Sequence, residues 1–158
     1  SMIDIFNRAA SAIDGGPSQP MMRAAIQVLE KSYADRETTA LRNIFSKKRN
    51  IMVEALTSVG IECLPEGKST FYIWANISNL PKPIDTAERF FFEALKYKVM
   101  TVPGYFFDVQ PGITKKKKSE FDQWVRFSFG PPEDNMIAGL ERLLKMIRSF
   151  ENKTASQK

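Results

Sequence analysis

Apolar residues recur at helical spacing from the start of the chain: Ile3, Phe6, Ala9, Ala10 and Ile13 share one face until Asp14-Gly15-Gly16-Pro17 breaks the period. A short amphipathic helix over 3–13 follows. After Ser18-Gln19-Pro20 the spacing returns in Met22, Ala25, Ile26, Leu29 and Tyr33. A longer run from about Glu37 to Val59 sets Leu41, Ile44, Phe45, Met52, Leu56 and Val59 opposite Arg42, Lys47, Lys48, Arg49 and Glu54. These two runs are one long bent helix or a helical pair. Tyr33-Ala34-Asp35-Arg36 is the weak joint, with Asp35 a candidate N-cap and Gly60 a left-handed C-terminal cap.

From Ile61 the texture changes to short strands. Ile61-Glu62-Cys63-Leu64 and Thr70 to Ile77 read as two strands joined by the turn Pro65-Glu66-Gly67-Lys68. After the loop 79–83, Asp85 and Glu88 form a capping box for a helix over 86–97, whose core face is Ala87, Phe90, Phe91, Ala94 and Leu95. Val99 to Val102 is a short strand stopped by Pro103-Gly104, and 105–123 is a long loop. In Trp124 to Gly130 the period is two: Val125, Phe127 and Phe129 face one side, Trp124, Arg126 and Ser128 the other. A last helix, roughly 133–150, buries Ile137, Leu140, Leu143, Leu144 and Ile147. The order predicts an α+β fold, a small antiparallel or mixed sheet covered by helices on one face and preceded by a long interdomain-type helix.

The totals remove several chemistries. At 158 residues, with 43% hydrophobic and 26% charged residues, the chain holds one moderate domain with a real core. There is no histidine and a single cysteine, Cys63, so Ser-His and Cys-His catalysis, imidazole metal sites, thiolate clusters and an intrachain disulfide are excluded. A reducing, cytoplasmic compartment fits, and neither a membrane-length apolar run nor a signal peptide is visible. Ser1-Met2 reads as a scar of expression. The net charge of +5 permits anionic partners, but much of it sits in Lys115 to Lys118 and near the termini, as in a solvated loop. Arg126 is the notable cation, because a planar guanidinium on a stiff strand is matched to a carboxylate. From this strand alone, however, an arginine on an open sheet face is ordinarily just solvated.

Five pieces in order resolve that ambiguity: Gly60 to Gly67, Thr70-Phe71-Tyr72-Ile73-Trp74, Val102 to Phe107, Val125 to Phe129, and Gly139 to Leu143. Together they resemble the C-terminal small domain of class I/II aminotransferases, the fold-type I enzymes that use pyridoxal phosphate, and Gly16 to Pro20 is similar to the stretch that follows the cofactor lysine. The resemblance implies that Arg126 holds the substrate α-carboxylate and that Phe71, Tyr72 and Gly104 line the substrate side. Ser18 and Gln19 fall where a neighbouring subunit's cofactor is approached. It also implies a division into 1–20 from the large-domain side, 21–60 as connecting helix or helical pair, 61–150 as small domain and 151–158 as polar tail. The Schiff-base lysine and most cofactor ligands of such enzymes lie in a preceding large domain, so this chain alone is expected to be inactive and without cofactor. The apolar face of 3–13 is then left exposed or taken up by another copy. The parent is expected to be a homodimer acting on an amino acid and a 2-oxo acid, with no nucleic-acid or membrane partner. Three alternatives stay open: a basic α+β nucleic-acid module stacking bases on Tyr72, Trp74 and Trp124; a pyridoxal-phosphate lyase or synthase of the same fold; and a stand-alone regulatory remnant.

Overall fold

Residues 1–64, 69–109 and 119–155 are described by the computed structural model. The expected turn at Pro65 to Lys68 and the lysine run at Lys115 to Lys118 lie outside the described residues. The chain divides into two units, Ser1–Asn43 and Ile44–Lys158, with the division inside a helix.

The first unit carries α1 (Met2–Ile13), α2 (Gln19–Val28) and the beginning of α3 (Lys31–Thr57). Ser1 and Asp4 close α1 in a reciprocal capping box, and Pro20 stands in the first turn of α2. The interruption between α2 and α3 falls at Leu29 and Glu30, not at Tyr33 to Arg36, and Asp35 lies within α3, ion-paired to Lys31. The reason is a cap made by a glutamate. The Glu30 carboxylate accepts from the backbone N–H of Ser32 and of Tyr33, each at 3.1 Å, and Ala34 N–H bonds the Glu30 carbonyl at 2.9 Å. The Ser32 hydroxyl, and then these two amides, hold the Glu30 carboxyl below its usual range. Ile3, Phe6 and Ile13 are exposed, at 70%, 66% and 80%.

The second unit is built on a four-stranded antiparallel sheet in the order β1-β2-β4-β3, where β1 is Glu62–Cys63, β2 Tyr72–Asn76, β3 Val102–Pro103 and β4 Trp124–Ser128. The hairpin expected between the first two strands forms, and the wholly antiparallel sheet resolves the choice left open by the sequence. Ile73, Ala75, Val125 and Phe127 are buried on one face of the central strands. With Met52 and Leu56 of α3, Ala87, Phe90 and Ala94 of α4 (Ala87–Lys96), and Met136, Leu140, Leu143, Met146 and Ile147 of α5 (Glu133–Ala155), they make one core. None of the described helices is long and apolar enough to cross a membrane.

Several local expectations are corrected. Thr86, not Asp85, is the N-cap of α4, and it makes no side-chain cap bond; Ala87 N–H donates instead to the Asp122 carbonyl at 2.7 Å. Phe91 is only half-buried and Leu95 is exposed. In α5 Leu140, Leu143 and Ile147 are buried as expected and are joined by Met136 and Met146, whereas Ile137 is exposed and Leu144 only half-buried. No glycine or proline stops α5 at 150, and it continues to Ala155, into the expected polar tail. The strand expected at Val99 to Val102 pairs only as Val102–Pro103.

Two helix ends have the same backbone closure but different residues. At the end of α3, Gly60 N–H reaches Thr57 carbonyl at 3.0 Å and Ile61 N–H reaches Leu56 carbonyl at 3.2 Å, with Gly60 at φ +81°, the expected left-handed cap. After α4, Lys98 N–H reaches Leu95 carbonyl at 2.9 Å and Val99 N–H reaches Ala94 carbonyl at 3.0 Å, with Lys98 at φ +61°. A lysine thus occupies a position where glycine is usual.

Candidate functional site

The face of the sheet away from the core carries Arg126 and the aromatic rings around it. Alternation along β2 and β4 places Tyr72, Trp74, Trp124 and Arg126 together there, all half-buried. Arg126 is directly opposite Trp74 in the antiparallel register, and Tyr72, opposite Ser128, is its diagonal neighbour. The Arg126 guanidinium carbon stands 4.0 Å from the Tyr72 ring centroid and 4.7 Å from that of Phe107. Contacts of this kind contribute about 0.5–2 kcal/mol each. They hold the side chain extended over the sheet while making no demand on its N–H donors. Among the described residues no carboxylate lies within ion-pair distance of Arg126.

Phe107 reaches Arg126 because of Gly104. These residues begin and end a 3-10 turn, Gly104–Phe107, which runs from the expected strand stop into the segment expected to be loop. Gly104 is buried, and a Cβ there would stand 2.6 Å from the carbonyl oxygens of both Phe121 and Trp124 and 2.8 Å from the Trp124 Cβ. The turn lies against β4 only because that position has no side chain. Trp74 then joins the rings: its centroid is 5.5 Å from Phe107 and 5.6 Å from Phe121, both edge-on, and 5.8 Å from the nearly parallel Trp124.

Of the residues singled out in the sequence, Arg126 and Tyr72 are in contact, and Gly104 acts through the turn that carries Phe107. Phe71 is exposed just ahead of β2, its ring 4.3 Å from Tyr72 and stacked 6.2 Å from Phe45, while its carbonyl accepts from Phe129 N–H at 2.9 Å. Thr70 before it has φ +64°, an uncommon value for a β-branched residue, and its hydroxyl accepts from Tyr72 N–H at 3.1 Å. Gly67 lies outside the described residues. Sequence reasoning passed over Phe107 as a site residue; three consecutive aromatics after Pro103-Gly104 were the available signal.

Ser18 and Gln19 are exposed at the start of α2, in the first unit. Lys48, the buried lysine among the described residues, donates its ammonium to the carbonyl oxygens of Gly130, at 3.1 Å, and of Pro131. It ties α3 to the turn between β4 and α5 and is not a free amine. Burial pushes the Cys63 thiol above its ordinary range, with opposing contributions from Thr57 and Arg49, so it is a poor thiolate. No group of three or more potential metal ligands occurs among the described residues.

Residues 1–143 match the sequence profile of the family described as aminotransferase class I and II. Among solved structures, a Pyrococcus protein described as protein-A1 superposes with a TM-score of 0.72 at 19% identity, covering 90% of this chain and 33% of that one. An aminotransferase from Mycobacterium tuberculosis gives 0.70 at 20% identity, covering 89% and 33%. Aspartate aminotransferase from Thermus thermophilus with maleate gives 0.65 at 21%, covering 88% and 32%. The chain therefore spans about a third of the length of these solved relatives. It is also 32% identical over 100 residues, 60% of this chain and 19% of the other, to a Bacillus subtilis protein called uncharacterized HTH-type transcriptional regulator YisV. A profile match running over most of the residues, joined to the shared fold, shows that the chain belongs to the class I and II aminotransferase family.

Proposed function

We propose that these residues are the small-domain part of a longer pyridoxal-phosphate-dependent aminotransferase that moves an amino group between an amino acid and a 2-oxo acid, and that Arg126 holds the substrate α-carboxylate. One observation carries the reading: a guanidinium on a rigid central strand, lodged between two aromatic rings, with no carboxylate of the described chain to neutralise it. A carboxylate arriving in the plane of that fork makes two parallel charge-assisted hydrogen bonds, which fixes the substrate's orientation as well as its charge. The cofactor, when bound in the parent, supplies the electron sink for amino-group chemistry. Phe71 and Tyr72 border the substrate, and Ser18 and Gln19 approach the cofactor across a homodimer. The parent is cytoplasmic.

The test is Arg126→Lys in the longer parent. Loss of the two-point grip removes about 1.5–3 kcal/mol, a fall of roughly 10- to 100-fold in kcat/KM for α-carboxylate substrates. An unchanged kcat/KM overturns the assignment. Residues 1–158 alone are expected to show no cofactor absorbance and no transamination; a stoichiometric cofactor chromophore on the purified chain would contradict this.

The likeness to YisV favours a second reading, in which the parent is a transcriptional regulator that uses the same face to hold an amino acid without turnover. DNA binding by the parent that responds to amino acids, with no product formed, selects it. Product analysis of the parent likewise separates transamination from a lyase or synthase reaction.

A further inference from the structure

A cavity of about 180 Å³ lies on the core side of the sheet, bordered by Lys98, Thr101, Asn135, Met136 and Arg142. Its lining takes in Phe127 of β4 and not Arg126. We propose that this cavity binds a small organic carboxylate. Val102 pairs with Arg126 on the open face, so the preceding Thr101 shares the core face with Phe127, and both line the cavity. Thr101 is 4% exposed, and its hydroxyl has no hydrogen-bond partner among the described residues. A buried hydroxyl without a partner is rare in folded proteins and calls for a polar occupant.

The charge of the lining decides which occupant. Lys98 and Arg142 both border the cavity, and among the described residues neither is ion-paired and no aspartate or glutamate lines it. Two unneutralised cations with donors from Thr101 and Asn135 select an anion. The remaining wall is largely apolar, so the anion must carry a hydrocarbon part, which disfavours inorganic phosphate. At about 30 Å³ per water the volume matches roughly six waters, room for an acid of about four to six carbons. Lys98 adds a conformational argument: its left-handed backbone would be easier for glycine, yet the chain keeps there a side chain that reaches the cavity.

The experiment is a titration of the 158-residue chain with isovalerate, followed by methyl NMR at Thr101, Val99 and Met136. Isovaleramide and inorganic phosphate serve as comparison probes. Saturable shifts at these methyls are expected, with the neutral amide and phosphate each at least about tenfold weaker. Arg142→Gln and Thr101→Val should each weaken isovalerate binding at least about fivefold. Gly139 borders the same cavity and a Cβ there would meet nothing within 4 Å, so Gly139→Leu should fill the space and abolish binding without removing a polar group. The proposal fails if no saturable shift occurs, the result for a cavity holding only water. It also fails if the amide binds as well as the acid, or if Arg142→Gln, at an exposed position that does not threaten folding, leaves affinity unchanged.

Discussion

Replacing Gly104 by alanine tests how the candidate site is assembled. The new methyl would stand 2.6 Å from two carbonyl oxygens, 0.8 Å inside the 3.4 Å at which ordinary contact begins, and 2.8 Å from the Trp124 Cβ. None of these atoms is the tip of a mobile side chain. The Gly104–Phe107 turn or strand β4 must therefore move, and overpacking of this sort costs about 1–3 kcal/mol, with backbone clashes at the upper end. A loss of about 3 kcal/mol is roughly a hundredfold in the folding equilibrium. With a urea dependence of about 2 kcal/mol per molar, the unfolding midpoint falls by about 1.5 M. The chain's two tryptophans, Trp74 and Trp124, both lie at the site, so their fluorescence follows the transition directly. Gly139→Ala is the control, since its methyl meets nothing within 4 Å; it should leave the midpoint unchanged or, by adding up to about 1 kcal/mol of stability, raise it by up to about 0.5 M. An equal midpoint for Gly104→Ala and the unaltered chain would refute the packing account and, with it, the explanation of how Phe107 reaches Arg126.

Lys98→Gly relieves a left-handed backbone and should stabilise the chain by about 1 kcal/mol, seen as a rise of about 3 °C in Tm; a fall would show that the lysine side chain matters more than the strain. Lys48→Met keeps most of the buried stem but removes the donor shared by the Gly130 and Pro131 carbonyls, for an expected loss of about 1–2 kcal/mol in thermal unfolding; no change would contradict that role. The Glu30 carboxyl is held below its usual value of 4.5, so its cap on α3 is in place above that pH and is lost as pH falls through the depressed folded value. Amide exchange at Ser32 and Tyr33 should accelerate over that interval, and exchange that follows only the intrinsic acid dependence would remove the cap from the account.

Much of the fold was legible because two periods are written plainly in the chain. Val125, Phe127 and Phe129 alternate with Trp124, Arg126 and Ser128, and this places the arginine on the open face without knowledge of any neighbour. Gly60 was readable for a similar local reason, as a glycine just after the last apolar position of a helical run. What failed were features decided by contacts distant in sequence or by unusual residue choices. Asp85 and Glu88 have the spacing of a capping box, but the first amide of α4 is taken by the carbonyl of Asp122, 35 residues downstream of the helix start at Ala87. Glutamate is a rare cap, and Glu30 therefore gave no signal against the more conventional Asp35. Phe107 was hidden for a related reason: its role depends on a turn lying flat against Trp124, which no local pattern announces.

The pairing of the two central strands also guards against misassembly. Sliding β4 by a single residue along β2 would drive the Arg126 charge in among Ile73, Phe90 and Leu143 and turn Val125 and Phe127 out toward Trp74 of β2. The charge that sits on the open face thus penalises the off-by-one pairing, so the native register is also the one that leaves Arg126 facing outward.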